Sequence, residues 1–204
     1  MRYRPADLLL THVVRWGAAL LPDVLTRTPG GALTFDDGPY PAVTPALVEA
    51  LGATRAAFFL LADRATSHPE LVRSLAAAGH HVALHGPSHV DLWRSRFDTT
   101  AWDAAQARLE ALLGAPVRYV RPPNGHITPA LLRWARQRGV TVVLWDVMPG
   151  DFLPHASPDT VVEAVRRLGR PDSIVVLHES ASLAPVVVPT VQRLVAGQAW
   201  GTLP

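Results

Sequence analysis

From residue 31 onward, short apolar runs of β type alternate with longer segments whose apolar residues recur at helical spacing, the pattern of a sheet or barrel with helical crossovers. Six runs predict strands, at Ala32 to Phe35, Ala56 to Leu61, His81 to Leu84, Val117 to Val120, Val140 to Val147 and Ser173 to Leu177, with a weaker seventh at Trp200 to Leu203. The segments between them predict helices at Thr44 to Leu51, Pro69 to Ala78, Thr100 to Leu113, Pro129 to Arg138, Pro158 to Leu168 and Pro185 to Val195. Their starts are marked by a capping-type residue beside proline, as in Thr128-Pro129 and Ser157-Pro158.

At 204 residues and 49% apolar, the chain suits one domain with a sizeable core, and it has no low-complexity linker or fixed-period repeat. We therefore expect an N-terminal helical extension over residues 1–30, packed on a single α/β domain over 31–204. Residues 8–21 read LLLTHVVRWGAALL, interrupted by His12 and Arg15. A spanning helix needs about 20 apolar residues, so an amphipathic helix is the favoured reading, with peripheral membrane contact as the alternative. No cleavable signal pattern is visible, which favours a cytoplasmic location over an exported or membrane-associated one. The net charge is only +2 and every basic residue is Arg, without a dense basic block, so nucleic acid is not an expected partner. Without Cys, any metal must be held by His and carboxylate.

The polar residues Asp36, Asp37, His85, Arg121, Asp146 and His178 all fall at or just beyond the C-terminal ends of apolar runs, which in a barrel form one mouth. Asp36 and Asp37 are adjacent, so both reach one site only where the backbone turns out of the strand, here ahead of Gly38-Pro39. Paired carboxylates with different partners can divide the roles of metal ligand and base. His85 and His89, four residues apart, can grip one ion from a helical turn, and with one Asp they leave coordination positions open, as a catalytic metal requires. Arg121 would hold Asp36 ionised and fixed in direction, and His178 is suited to hand a proton to a leaving amine. Each feature alone has a plainer explanation: a surface turn, an ordinary pair of histidines, an Arg capping carbonyls, a core His. His12, His68, His80, His81, His126 and His155 lack a partner pattern and read as surface or loop residues.

Taken together, Thr34 to Pro39 (TFDDGP), His85 to His89, Arg121 to Gly125, Trp145 to Phe152 and Leu177-His178 resemble, in order and spacing, the motifs of the polysaccharide deacetylases, carbohydrate esterase group four. The resemblance covers about residues 31 to 200. It implies a distorted (β/α)7-type barrel that removes N-acetyl groups from an N-acetylglucosamine-type oligomer or polymer. It further implies Asp37, His85 and His89 as ligands of a divalent metal, zinc in the first place with cobalt, nickel or manganese as alternatives. Asp36 is then the base that activates water, oriented by Arg121. His178 is the general acid, and the backbone N–H of Asn124 a donor to the oxyanion.

Four positions depart from the family pattern. Gly86 replaces the usual Ser or Thr, Asn124 an aromatic residue, Met148 the Asp that tunes the acid His, and Phe152 a Trp. Strand alternation places Asp146 on the face of Met148, and Asp151 follows in the loop, so either is a candidate partner for His178. The altered fourth motif is the best support for the rival reading, a carbohydrate-binding protein with weak catalysis. A third reading keeps the hydrolase but moves it to an O-acetyl ester or a cyclic amide.

Overall fold

The computed structural model describes residue 21 and residues 23–204. The helix expected over 8–21 therefore lies outside the described residues, apart from its last position. Seven parallel strands form one curled sheet: β1 (Val24–Leu25), β2 (Ala32–Gly38), β3 (Ala57–Leu60), β4 (His81–Leu84), β5 (Tyr119–Val120), β6 (Thr141–Val143) and β7 (Ile174–His178). Their order is β1-β6-β5-β4-β3-β2-β7. Among the described residues, seven helices cover the outside: α1 (Thr44–Leu51), α2 (Ala62–Ser67), α3 (Pro69–Ala77), α4 (Thr99–Leu113), α5 (Pro129–Arg138), α6 (Pro158–Leu168) and α7 (Ala184–Gly197). This is the distorted barrel that the motif resemblance implies. Among the described residues, no helix is long and apolar enough to cross a membrane.

Strand alternation sorts the apolar residues into two layers. Leu33, Phe35, Phe58, Leu60, Val82, Leu84, Val175 and Leu177 pack against the helices in one buried cluster. Ala32, Ala57, Phe59, Ala83, Tyr119, Ile174 and Val176 fill the inside of the curl. The same parity carries on to the polar residues: Asp36 follows Ala32 and Thr34, His85 follows Ala83, Arg121 follows Tyr119, and His178 follows Val176. Asp36 is registered opposite His178 on one side and Phe59 on the other. The ladder extends past β4 and β5, since His85 N donates to Leu60 O at 2.8 Å and Arg121 N to Leu84 O at 2.9 Å. All four polar residues thus reach the same C-terminal rim. A fully buried Leu or Phe contributes roughly 1.5–3 kcal/mol, so the two apolar layers offset the cost of holding charged groups at that rim.

The structure corrects the expected strands in two places. Trp200 to Leu203 forms no strand; Leu203 is buried inside the curl, and Gly201 N is tied to Gly30 O at 2.9 Å. The seventh strand is Val24–Leu25, inside the segment expected to be extension, where two residues are too few to show alternation; it pairs with β6. The long run from Val140 to Val147 is also not one strand. β6 stops at Val143, and the chain crosses the open side of the curl so that Val147 bridges Val175 of β7. Helix α2, six residues without apolar periodicity, gave no signal in the sequence.

Candidate active site

The pair Asp36-Asp37 is resolved by a bulge. The β2–β3 register runs Asp36 to Phe59 and then Gly38 to Leu60, so Asp37 is the extra residue, with φ +74°. Asp36 keeps its inward direction while Asp37 is re-aimed at the same mouth. Two groups stabilise this conformation from outside. The Arg64 guanidinium of α2 donates to the Asp37 carbonyl. Glu179 lies so close to Gly38 that a Cβ there would meet its Oε1 at 2.1 Å, which is why glycine follows the two carboxylates.

Asp37 Oδ1 lies 3.5 Å from both His85 Nε2 and His89 Nε2. Tetrahedral zinc with bonds of about 2.0–2.1 Å requires ligand atoms roughly 3.3 Å apart, so the three residues fit such an ion. Asp37 Oδ1 is also buried with no hydrogen-bond partner, the condition of an oxygen that completes its shell with a cation. Burial pushes the Asp37 carboxyl up, but the neighbouring imidazoles of His85, His178 and His89 hold it below the ordinary range. It is therefore an anionic ligand at neutral pH.

His85 is buried, and its Nδ1 lies 2.9 Å from the Arg121 carbonyl, which can only accept. Nδ1 therefore carries the proton, and the Nε2 lone pair faces the space between His85 and Asp37 Oδ1 where a shared cation would sit. That hydrogen bond orients the ring without the Ser or Thr that Gly86 replaces. Gly86 itself has φ +104°, and Trp102 packs behind it, at 3.3 Å from where a Cβ would sit.

Arg121 is fully buried and spends its whole fork. Nη1 binds Asp36 Oδ1 at 2.6 Å and Thr34 Oγ1 at 2.9 Å, Nε binds Val143 O at 3.1 Å, and Nη2 binds Leu144 O at 3.1 Å. Its plane lies 3.9 Å from the centroid of Phe59. A guanidinium held this way fixes the direction of the Asp36 carboxylate.

On the other side, Asp151 grips His178 twice, with Oδ1 3.0 Å from the ring Nδ1 and Oδ2 accepting from the backbone N–H at 2.7 Å. Burial pushes the imidazole down, yet Asp151, with smaller contributions from Asp36 and Asp37, raises its pKa to about 9. Of the two carboxylates expected as partners, Asp151 takes the role. Asp146 does not. It accepts from Ser173 Oγ at 3.0 Å and Arg27 Nε at 3.3 Å, at the far end of β7, because the chain has left the strand before Asp146 and alternation no longer applies.

Asn124 sits at φ +58° in a short turn over Pro123–Gly125, a left-handed position that Asn tolerates better than an aromatic residue. Asp36, Asp37, His85, His89, Asn124 and His178 all line one cavity of about 780 Å³, walled also by Trp145, Met148 and Phe152. Three further residues of this cavity escaped the sequence reading. Burial raises the Glu179 carboxyl to about 8, while Thr44 Oγ1 donates to its Oε2. Asp91 and His126, set 2.6 Å apart, line the same cavity, so His126, a loop residue as expected, has a partner that the sequence did not show. Their pairing bridges 35 residues and leaves no local signal in the sequence. His80 is likewise buried, accepting from Ala56 N at 3.2 Å.

A family model described as polysaccharide deacetylase matches residues 26–143. A chitooligosaccharide deacetylase of Sinorhizobium fredii is 36% identical over 159 residues, 76% of this chain and 74% of that protein. A peptidoglycan-N-acetylglucosamine deacetylase of Bacillus cereus is 32% identical over 153 residues, 73% of this chain and 55% of the other. Among solved structures, a peptidoglycan N-acetylglucosamine deacetylase superposes with a TM-score of 0.85 at 27% identity, covering 93% of this chain and 94% of that one. A family 4 carbohydrate esterase from Streptomyces lividans, crystallised with acetate, gives 0.71 at 29% identity over 84% and 90%.

Proposed function

The chain belongs to the polysaccharide deacetylase family and is a carbohydrate deacetylase, and on that premise we propose that it hydrolyses N-acetyl groups from N-acetylglucosamine oligomers with a divalent metal, zinc first among the candidates. One observation carries this reading: the partnerless Asp37 Oδ1, equidistant from two imidazoles, stands in one cavity with an Arg-bound carboxylate and an Asp-bound imidazole. Asp37, His85 and His89 would hold a divalent ion, which would supply Lewis acidity to the water and the acetyl oxygen when bound.

The remaining steps belong to the protein's own groups. Asp36, its direction set by Arg121, takes a proton from water as the water oxygen bonds to the acetyl carbon. The Asn124 backbone N–H donates to the oxyanion that develops. His178 delivers a proton from Nε2 to the sugar nitrogen as the C–N bond breaks, releasing acetate and the free amine. Asp151 holds Nδ1, keeping Nε2 as the donor. Met148 does not leave the acid His without its carboxylate, so the main support for a weakly catalytic binding protein falls away.

Acetate release measured on N-acetylglucosamine tetramer and on an O-acetylated sugar tests the reading. Clear preference for the N-acetyl substrate is expected, and a preference for the ester would move the activity to the other bond.

The acid role has a definite pH signature. His178 is active when protonated, so kcat/KM falls as pH rises through its pKa. Asp151 is the chief group that raises that pKa, so the alkaline limb lies above the range of an ordinary imidazole. Asp151→Asn is expected to shift the limb toward acid, with lower kcat at pH 8 and little change in metal content. A limb that stays put would remove His178 from the acid role.

A further inference from the structure

Among the described residues the exposed large hydrophobic side chains are Val90, Trp93 and Phe152, and all three stand on the loops that carry the mouth. Trp93 is the extreme case, 68% exposed yet held by three contacts. Its ring lies flat on His126, with centroids 3.8 Å apart and planes within 1°. Its Nε1–H donates to the Ile127 carbonyl at 3.1 Å, and its backbone N–H to Asp91 Oδ1 at 2.9 Å. Asp91 Oδ1 also holds His126 Nδ1, so one carboxylate oxygen fixes both members of the stack. A Trp left in water is ordinarily mobile, or covered by the fold; this one is immobilised with one face spent on an imidazole and the other open.

The stack adjoins the reaction cavity, because Asp91, His126 and the neighbouring Arg94 line the same space as Asp37, His85 and His89. We infer that the free face of Trp93 is a stacking platform for the sugar unit next to the one being deacetylated, with Arg94 placed to donate to its hydroxyls. The occupant follows from the chemistry. A pyranose ring presents an apolar C–H face that suits a rigid aromatic plane, and preorganisation lowers the entropic cost of binding. The third motif here carries Asn124 in place of an aromatic side chain, so the apolar wall is supplied from the other loop. Trp93 is on this reading a specificity-determining residue that favours oligomers over the monosaccharide, an inference that rests on the carbohydrate deacetylase reading above.

Steady-state kinetics of the metal-loaded enzyme on N-acetylglucosamine monomer, dimer and tetramer test it. In the wild type, kcat/KM rises with length. Trp93→Ala is expected to lose roughly tenfold on the tetramer, carried by KM, the equivalent of about 1.4 kcal/mol, with little change on the monomer. Trp93→Phe keeps most of the activity, since a smaller aromatic plane remains. Equal losses on monomer and tetramer, or none on either, would overturn the platform. Calorimetric titration of glucosamine tetramer, the reaction product, into metal-loaded wild type and Trp93→Ala separates this failure from failure of the underlying reading. A wild type that releases no acetate from any oligomer sinks the deacetylase proposal, whereas product affinity that ignores Trp93 sinks the platform.

Discussion

His85→Ala is expected to strip the bound metal and lower acetate release on the order of a thousandfold, the rate equivalent of about 4 kcal/mol of lost charge stabilisation. His85 is the buried and pre-oriented member of the ligand set: the Arg121 carbonyl fixes its tautomer, and its Nε2 faces Asp37 at 3.5 Å. Losing it also removes one of the imidazoles that hold the Asp37 carboxyl low, so the second ligand weakens with the first. His89 makes the same contact to Asp37 from a side chain that is 41% exposed. His89→Ala should therefore weaken metal affinity more modestly, with partial recovery of activity at high added metal. Metal content per chain and acetate release, measured on both variants with a check of folding by circular dichroism, decide the matter. A His85→Ala protein that lost its metal and kept its rate would end the metal mechanism.

The order of these effects depends on burial and hydrogen bonding, which the sequence showed unevenly. Where a functional residue continues the parity of a strand, its direction was legible: Asp36, His85, Arg121 and His178 all extend inward rows already marked by Ala32, Ala83, Tyr119 and Val176. Where the backbone departs from a regular element, the reading became a choice among candidates. Asp37 needed a bulge to reach the mouth, and the Gly38-Pro39 break hinted at it. Asp146 is a candidate only if the strand runs on to Val147, and β6 ends at Val143. The crossing at Leu144 is a tertiary event that carries the chain across the gap between the edge strands β1 and β7, and no local pattern records it. Glu179, Asp91 and His126 acquire their roles from partners far away in sequence, Thr44 for the first and each other for the second pair.

Arg121→Met, which keeps the aliphatic stem and removes the charge, is expected to cost about 3–5 kcal/mol of stability, because it leaves the buried Asp36 carboxylate without its partner. For a chain of this size that corresponds to a fall in Tm of roughly 6–20 °C. Turnover should drop by about two to four orders of magnitude, the usual contribution of a positioned base. The two losses have different origins, and a double variant separates them. In Asp36→Asn/Arg121→Met the unpaired charge is gone, so Tm should recover part of the way toward wild type. Activity should stay at its floor, because no carboxylate remains to take the proton. Thr34 Oγ1 and the Val143 and Leu144 carbonyls still lose their donors in both variants, so the recovery is incomplete. Thermal melts and acetate release on the wild type, both single variants and the double variant complete the cycle. Activity that returned along with stability would show that Arg121 serves only to hold the barrel together, and that some other group accepts the proton.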